Sequence, residues 1–337
     1  MITVRKLWEN SNITDRYPGL ALRARFDEPM SAHTTFRVGG PADLLVLPAS
    51  VDELCALLCL FNDSSIPVSI LGGGSNLLVS DRGIRGAVIS LDSLNAIERL
   101  APEQPSPEVP LSERVLVRAG AGASMNQLTD WCALKSLSGL ERFAGLPGSV
   151  GGAAFMNARC YELSVSDVFF SADVLRYQHG SFSMDEIRYD PAEWDYKKSP
   201  FQVKNGVASL VFGENARIIL NVTVSLVGGK AENIREEMNR YIRDREEKGH
   251  FKFPSAGSMF KNNRAFGMPS GKIIDEAGLR GYQIGDAQVA PWHGNIIINK
   301  GNARAEDLRL LVTNIQKQVF DKTGFLLENE VIFAGEW

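Results

Sequence analysis

Between the two apolar runs of "VSILGGGSNLLVSD", Val68 to Asp81, the chain sets three consecutive glycines, Gly72, Gly73 and Gly74. Each glycine loses more backbone freedom on folding than any other residue, so three in a row mark backbone that needs positive φ or close approach to something. Two readings follow. One is a tight strand-to-strand turn. The other is a concave nest of backbone N–H groups that holds a phosphate without a cationic side chain. No Gly-Lys-Ser/Thr follows, which excludes a Walker A loop, and Leu77 stands where the last glycine of a G-x-G-x-x-G dinucleotide fingerprint would be.

The surrounding chain is that of a globular protein. Its 337 residues are 44% apolar and 23% charged, enough for two or three domains with their own cores. A net charge of −4 argues against a nucleic-acid groove, so no nucleic-acid partner is expected. No apolar run approaches the ~18–20 residues that cross a bilayer, and "MITVRKLWENSNITD" lacks the apolar core of a signal peptide. The expectation is a cytoplasmic protein without membrane insertion. Cys55, Cys59, Cys132 and Cys160 show neither a C-x-x-C spacing nor a disulfide framework. Cys55 and Cys59 share a helix face and are expected to be buried, and with four scattered histidines no metal site is expected.

Strand-like and helix-like segments alternate from about residue 33 onward, which predicts an α+β fold with a mixed sheet. "ADLLVLP" reads as a strand, and Ser50-x-x-Glu53 as a capping box opening the helix "VDELCALLCLFN". "PVSIL" is the strand entering the glycine loop. The four prolines of "APEQPSPEVPLSE", residues 101–113, predict an exposed loop. "RVLVRAG" is a strand, and Ser124-x-x-Gln127 caps a helix expected to run through "LTDWCALKSLS" to Gly139. Strands "ADVLRYQ", "VASLVF" and "ARIILNVTVSL" precede the helix "AENIREEMNRYIRDREEK". Then come "GKIIDEAG" as helix, "NIIIN" as strand, "AEDLRLLVTNIQKQVF" as helix and "EVIF" as a closing strand.

Three further segments accompany the loop. "TTFRVGGPAD" is by itself a turn. "GLERFAGLPGSVGGAAFMNA" holds Gly145, Pro147, Gly148, Ser149, Gly151, Gly152 and Asn157, with too many glycines for a stable helix and too little polarity for a solvent loop. Paired with the first loop it suggests one ligand carrying a pyrophosphate and a large flat ring. "FPSAGSMFKNN" sets Ser258 in a loop without a neighbouring histidine or a G-x-S-x-G elbow, so the serine is a turn residue or a proton donor, not a nucleophile.

Together "TTFRVGGPAD", "LGGGSNLLVSD", "GLERFAGLPGSVGGAAFMNA", "PSAGSMFKNN" and "LENEV" resemble, in order and spacing, the UDP-N-acetylenolpyruvoylglucosamine reductase (UDP-N-acetylmuramate dehydrogenase) family of peptidoglycan precursor synthesis, from about Ala32 to Glu336. The resemblance implies a vanillyl-alcohol-oxidase-like FAD-binding domain over 30–212, made of two α+β subdomains with the loop near 101–113. It implies a C-terminal α+β substrate-binding domain over 213–332, whose Glu330 strand returns to the active site. It further implies noncovalent FAD, NADPH as co-substrate, a UDP-sugar substrate and a monomer. Gly72, Gly73, Gly74, Ser75, Asn76 and Leu77 would wrap the FAD pyrophosphate, joined by Gly145, Pro147, Gly148, Ser149 and Gly152. Ser258 would protonate the carbon next to the hydride acceptor, Glu330 would hold the enolic form, and Tyr196, Lys248 and Asn262 would meet the substrate.

The chain also departs from the family pattern. In "WDYKKSPFQ" it has Tyr196-Lys197-Lys198-Ser199 where the family has Tyr-Arg, a variable residue and Ser. Lys197 keeps the charge of the arginine that meets the substrate carboxylate but not its two-pronged grip. Either Lys197 carries that role, or another cation such as Arg159 of "MNARCYE" helps, where the family more often reads Ala-Gly-Ala-Tyr-Gly. Ile332 stands where an arginine is common. The about 55 residues from "YKKSPFQ" to "PSAGS" leave no room for the inserted fold of the longer type, so the chain resembles the shorter type. His33 raises the thought of a histidine-linked flavin; we expect no covalent bond. Another FAD-dependent oxidase or dehydrogenase of the same architecture, or a noncatalytic nucleotide-binding protein, would keep the glycine segments without the Ser258 motif.

Overall fold

A computed structural model describes residues 3–101, 114–178, 181–202, 211–213 and 216–337. The chain forms two compact units, one of residues 1–24, 46–73 and 88–244, the other of 25–45, 74–87 and 245–337. Backbone passes from the first to the second inside the glycine loop, between Gly73 and Gly74. The last changeover between the two compact units falls at 244–245.

The first unit is organised by an antiparallel sheet of strands Ser181–Arg188, Phe169–Gln178, Arg217–Gly228, Arg114–Gly120 and Ile97–Arg99, in that order. Val222 lies opposite Ala172 on one side and Ala119 on the other. The central strand Arg217–Gly228 is mostly buried along its length, as its β-branched run "IILNVTV" requires. The edge strand Ser181–Arg188 alternates between exposed and half-buried, with too little apolar content for the sequence pattern to mark it. "VASLVF" lies largely outside the described residues; Phe212 N–H donates to Val68 O at 2.7 Å.

Helix Val51–Asp63 begins at Ser50, whose Oγ accepts from Glu53 N–H at 3.2 Å. The other half of the expected capping box is not made. Glu53 instead accepts from Ala49 N–H at 2.7 Å and from both terminal nitrogens of Arg23 at 2.7 and 2.8 Å. The Ser124–Gln127 box is complete, but its helix, Met125–Leu134, stops short of Gly139, and Leu137–Ser138 pairs as a short strand with Arg217–Gly228. Cys55 is half-buried and Cys59 exposed, so the expectation that both are buried does not hold.

The second unit centres on the antiparallel sheet Ser255–Ser258, Ile296–Asn299, Ala287–Val289 and Gln283–Ile284. Helices Ser270–Glu276 and Ala305–Thr323 bring Ile273, Ile274, Leu308, Leu311, Val312 and Ile315 onto it, and Phe36, Leu78 and Phe260 share the same core. Asp81, at the end of the glycine-loop segment, accepts from Ala305 N–H at 2.9 Å and Glu306 N–H at 3.0 Å. It neutralises two of the orphan donors that open the long helix. "EVIF" is shifted: the strand is Ile332–Ala334 and pairs in parallel with Leu77–Val79.

The Arg23 guanidinium is the main reason that the Glu53 carboxyl is held below its ordinary value. A depressed carboxylate contributes stability that is present above its unfolded pKa of about 4.3 and is lost as the pH falls through the folded value. Arg23→Ala should therefore lower the unfolding free energy by about 1–3 kcal/mol near neutrality, and the gap to wild type should narrow as the pH falls below about 4.3, without vanishing, because the Arg23 bond to Leu47 O does not titrate. Urea denaturation at pH 7 and pH 3.5 checks both parts.

Candidate functional site

The first unit brings the two glycine segments into direct backbone contact. Gly73 N–H donates to Ser149 Oγ at 3.1 Å, and the same oxygen accepts from Gly152 N–H at 3.2 Å. A Cβ on Gly73 would lie 2.7 Å from Gly148 Cα and from Ser149 N. Gly73 does not have positive φ; its missing side chain is required by packing against the second segment. That segment is stitched to the strand end below it. Met125 N–H donates to Gly148 O at 3.0 Å, Val150 N–H to Ala123 O at 2.8 Å, and Gly145 N–H to Asn126 Oδ1 at 3.0 Å. Pro147 lies within this stretch. Having accepted two N–H bonds, the nearly fully buried Ser149 hydroxyl has its own proton to give to an acceptor. A crease of glycines with one hydroxyl and no carboxylate in its bonding suits a pyrophosphate, so the residues present fit FAD.

In the second unit Gly74 supplies the positive φ, at +61°, and a Cβ there would lie 1.9 Å from His33 O. Ser75 O accepts from Thr35 Oγ1 at 3.5 Å. The Leu77 side chain is buried. Asn76 Nδ2 donates to Glu330 O at 3.1 Å, and the Asn76 carbonyl accepts from Ile332 N–H at 3.0 Å. His33 Nε2 is engaged with Glu28 Oε1 at 2.8 Å.

Ser258 and Glu330 are held by a seam of backbone paired on both sides. Met259 N–H donates to Asn295 O at 2.8 Å, and Glu330 N–H donates to Met259 O at 2.8 Å. Asn295, 3% exposed, completes the seam by accepting from Phe260 N–H at 2.9 Å and donating to Phe260 O at 2.8 Å. Ser258 and Glu330 are both half-buried. Asn262 is exposed and caps helix Ser270–Glu276 through Oδ1, which accepts from Ser270 N–H at 2.9 Å. Lys248 is exposed just past helix Ala231–Glu247. Asn295, Asp81 and Asn126 escape sequence reasoning because a lone polar residue has no visible partner until the chain folds.

Tyr196 and Lys197 form the tip of a turn in the first unit, closed by Asp195 N–H to Lys198 O at 3.3 Å and Lys198 N–H to Asp195 O at 3.0 Å. Lys197 is half-buried, has φ of +56°, and its Nζ lies 5.9 Å from the centroid of the Tyr196 ring. Arg159 is exposed in a two-residue strand paired with Leu163–Ser164. Ile332 is half-buried opposite Leu77. Among the described residues no cluster of three or more His, Cys, Asp or Glu could hold a metal ion.

Comparison with known proteins defines the class first. Residues 42–181 match the model of an FAD binding domain, and residues 249–334 match the model of the UDP-N-acetylenolpyruvoylglucosamine reductase C-terminal domain. The UDP-N-acetylenolpyruvoylglucosamine reductase of Treponema denticola is 49% identical over 93% of this chain and 94% of that protein, and that of Treponema pallidum is 42% identical over the same shares. The crystal structure of UDP-N-acetylenolpyruvylglucosamine reductase from Thermus caldophilus aligns with a TM-score of 0.67 at 31% identity, covering 92% of this chain and 99% of that one. The chain belongs to the UDP-N-acetylenolpyruvoylglucosamine reductase family, with the α+β fold and FAD-binding domain that the sequence led us to expect.

The packing at Gly73 carries a prediction. Gly73→Ala forces backbone apart, since neither Gly148 nor Ser149 can yield a side chain, and overpacking of this kind costs about 1–3 kcal/mol. The variant should unfold earlier in urea and be purified with less FAD per chain, and Gly73→Val should be worse on both counts. Unchanged FAD content and midpoint would return the loop to a plain turn.

Proposed function

We propose that the protein reduces UDP-N-acetylglucosamine enolpyruvate to UDP-N-acetylmuramate with NADPH, through noncovalently bound FAD, in peptidoglycan precursor synthesis. The observation that carries this reading is the seam that ties Glu330, Ser258 and the second half of the glycine loop together: Glu330 N–H on Met259 O, and Asn76 Nδ2 on Glu330 O.

The residues that would hold the cofactor are Gly72 to Leu77 with Gly145, Pro147, Gly148, Ser149 and Gly152. The chemistry supplied by bound FAD is hydride transfer, from NADPH to the terminal carbon of the enolpyruvyl group. Hydride arrival leaves negative charge on the adjacent carbon and its carboxylate, and preorganised donors there lower the barrier. Lys197 supplies positive charge to that carboxylate. Ser258 gives its hydroxyl proton to the adjacent carbon, and Glu330 holds the enolic form and orients its neighbours. Tyr196, Lys248 and Asn262 bind the sugar nucleotide. Residues 30–212 form the FAD-binding domain and 213–332 the C-terminal substrate-binding domain, with Tyr196 and Lys197 of the former also serving the substrate, a division distinct from the compact units. The working form is a cytoplasmic monomer; among the described residues no helix is long and apolar enough to cross a membrane.

Because the proton is needed only after hydride reaches the substrate, the two half-reactions separate the roles. Ser258→Ala should keep FAD and be reduced by NADPH at nearly the wild-type rate, while reoxidation by the enolpyruvyl sugar slows by ~10²–10⁴-fold, the range of a positioned general acid. Glu330→Gln should behave alike. Stopped-flow absorbance resolves the two steps, and wild-type reoxidation in Ser258→Ala would end the proton-donor assignment. Denaturing the protein should release its FAD intact; flavin that stays on the polypeptide would refute the noncovalent reading.

A further inference from the structure

Four non-glycine residues in or near the Lys197 turn and the segment that supports it have left-handed backbone: Asn157 at φ +42°, Tyr161 at +45°, Glu162 at +68° and Lys197 at +56°. Each such residue is costly outside glycine, and such conformations persist where surrounding bonds over-determine them. At Asn157 the bonds are visible. The residue is 4% exposed, its Nδ2 donates to Asp195 O at 2.9 Å, and its Oδ1 accepts from Ser166 N–H at 3.0 Å. Asp195 is the first residue of the turn that carries Lys197, and its carbonyl also accepts the Lys198 N–H.

The same short segment grips the turn from its other end. Gln202 Nε2 donates to Lys197 O at 3.1 Å and to Phe155 O at 2.9 Å, and Ser199 Oγ donates to Phe155 O at 2.7 Å. Phe155 is the last residue of the helix Val150–Phe155 that grows out of the second glycine segment, and its first turn is capped by Ser149. A continuous run of backbone thus connects the crease of Gly73 and Ser149 to the residue under Lys197.

We infer that Asn157 is a positioning residue for Lys197: its amide fixes the turn 195–198, in which Lys197 has left-handed backbone, and through it the placing of the lysine charge that the departure from arginine makes dependent on geometry. The inference rests on the reading of Lys197 as the charge facing the substrate carboxylate. A single ammonium has no planar fork to align itself on a carboxylate, so its alignment has to come from the backbone that carries it. Loss of the Asn157 amide leaves the Asp195 carbonyl with one fewer donor and the turn free to relax toward right-handed backbone.

The test is a double-mutant cycle with two readouts, the rate of flavin reoxidation and the affinity of the oxidised holoenzyme for the enolpyruvyl sugar nucleotide. Asn157→Gly keeps the left-handed backbone without strain and removes only the amide. Asn157→Asp replaces the donor by an acceptor. Both should weaken substrate affinity and slow reoxidation about tenfold, leaving reduction by NADPH and FAD content near wild type. The Asn157→Asp defect should recover as the pH falls and the carboxyl regains a proton to donate. Added to Lys197→Ala, either change should cost little more than Lys197→Ala alone. Additive losses, equal slowing of both half-reactions, or wild-type affinity and rate in both Asn157 variants would overturn the inference while the role of Lys197 stood. Wild-type behaviour of Lys197→Ala would overturn the reading of Lys197 and the inference with it. If Asn157→Asp does not fold, the glycine variant carries the same comparison.

Discussion

The seam at Met259 and Phe260 is the constraint on which the second unit depends. Ser255–Ser258 is the end strand of its sheet, and the buried backbone that follows it at Met259 and Phe260 would cost about 1–3 kcal/mol for each group left unpaired. Here the backbone is satisfied on one side by Asn295 and on the other by Glu328 and Glu330, through Lys261 N–H to Glu328 O at 2.8 Å and Glu330 N–H to Met259 O. The two carboxylate residues of "LENEV" diverge in use. Glu328 forms an ion pair with Lys261, while Glu330 is fixed through its main chain to Met259 and Asn76. The fold therefore fixes Glu330 and the backbone next to Ser258 through main-chain atoms of their own, which substitution of the Ser258 or Glu330 side chain leaves in place.

The glycine loop meets a different constraint in each unit. Gly73 is excluded from having a side chain by the backbone of Gly148 and Ser149, whereas Gly74 needs positive φ beneath the His33 carbonyl. One stretch of sequence thus answers to close packing in one residue and to conformation in the next. Asn76, two residues on, has its side chain turned to Glu330. Its geometry makes the loop the brace of the glutamate strand.

Much of this was legible in the sequence because it depends on period and on punctuation. The strand Arg114–Gly120 and the helices Val51–Asp63, Ala231–Glu247 and Ala305–Thr323 follow from apolar spacing and caps, and they lie within a few residues of the expected bounds. The glycine segments announced that backbone comes close to something, though not that they first meet each other. Illegible parts share one cause, which is that their partners are remote. Glu53 looked like a capping-box residue and instead holds Arg23, thirty positions away. Strand Ser181–Arg188 has no apolar face of its own and exists through pairing with Phe169–Gln178. Asp81 read as the end of a loop and is the cap of a helix that begins 224 positions later. The parting of the compact units at 244–245 depends on which segments pack together, and no change in composition marks it.

The central claim is that one chain couples NADPH to an enolpyruvyl ether through a flavin it holds without a covalent bond. Following the flavin absorbance of the purified protein under anaerobic conditions tests this most directly. The account predicts that NADPH bleaches the bound flavin, that UDP-N-acetylglucosamine enolpyruvate then restores the oxidised spectrum, and that UDP-N-acetylmuramate accumulates in equal amount. A protein that carries no flavin, or whose NADPH-reduced flavin is reoxidised by oxygen but not by the enolpyruvyl sugar nucleotide, would contradict it.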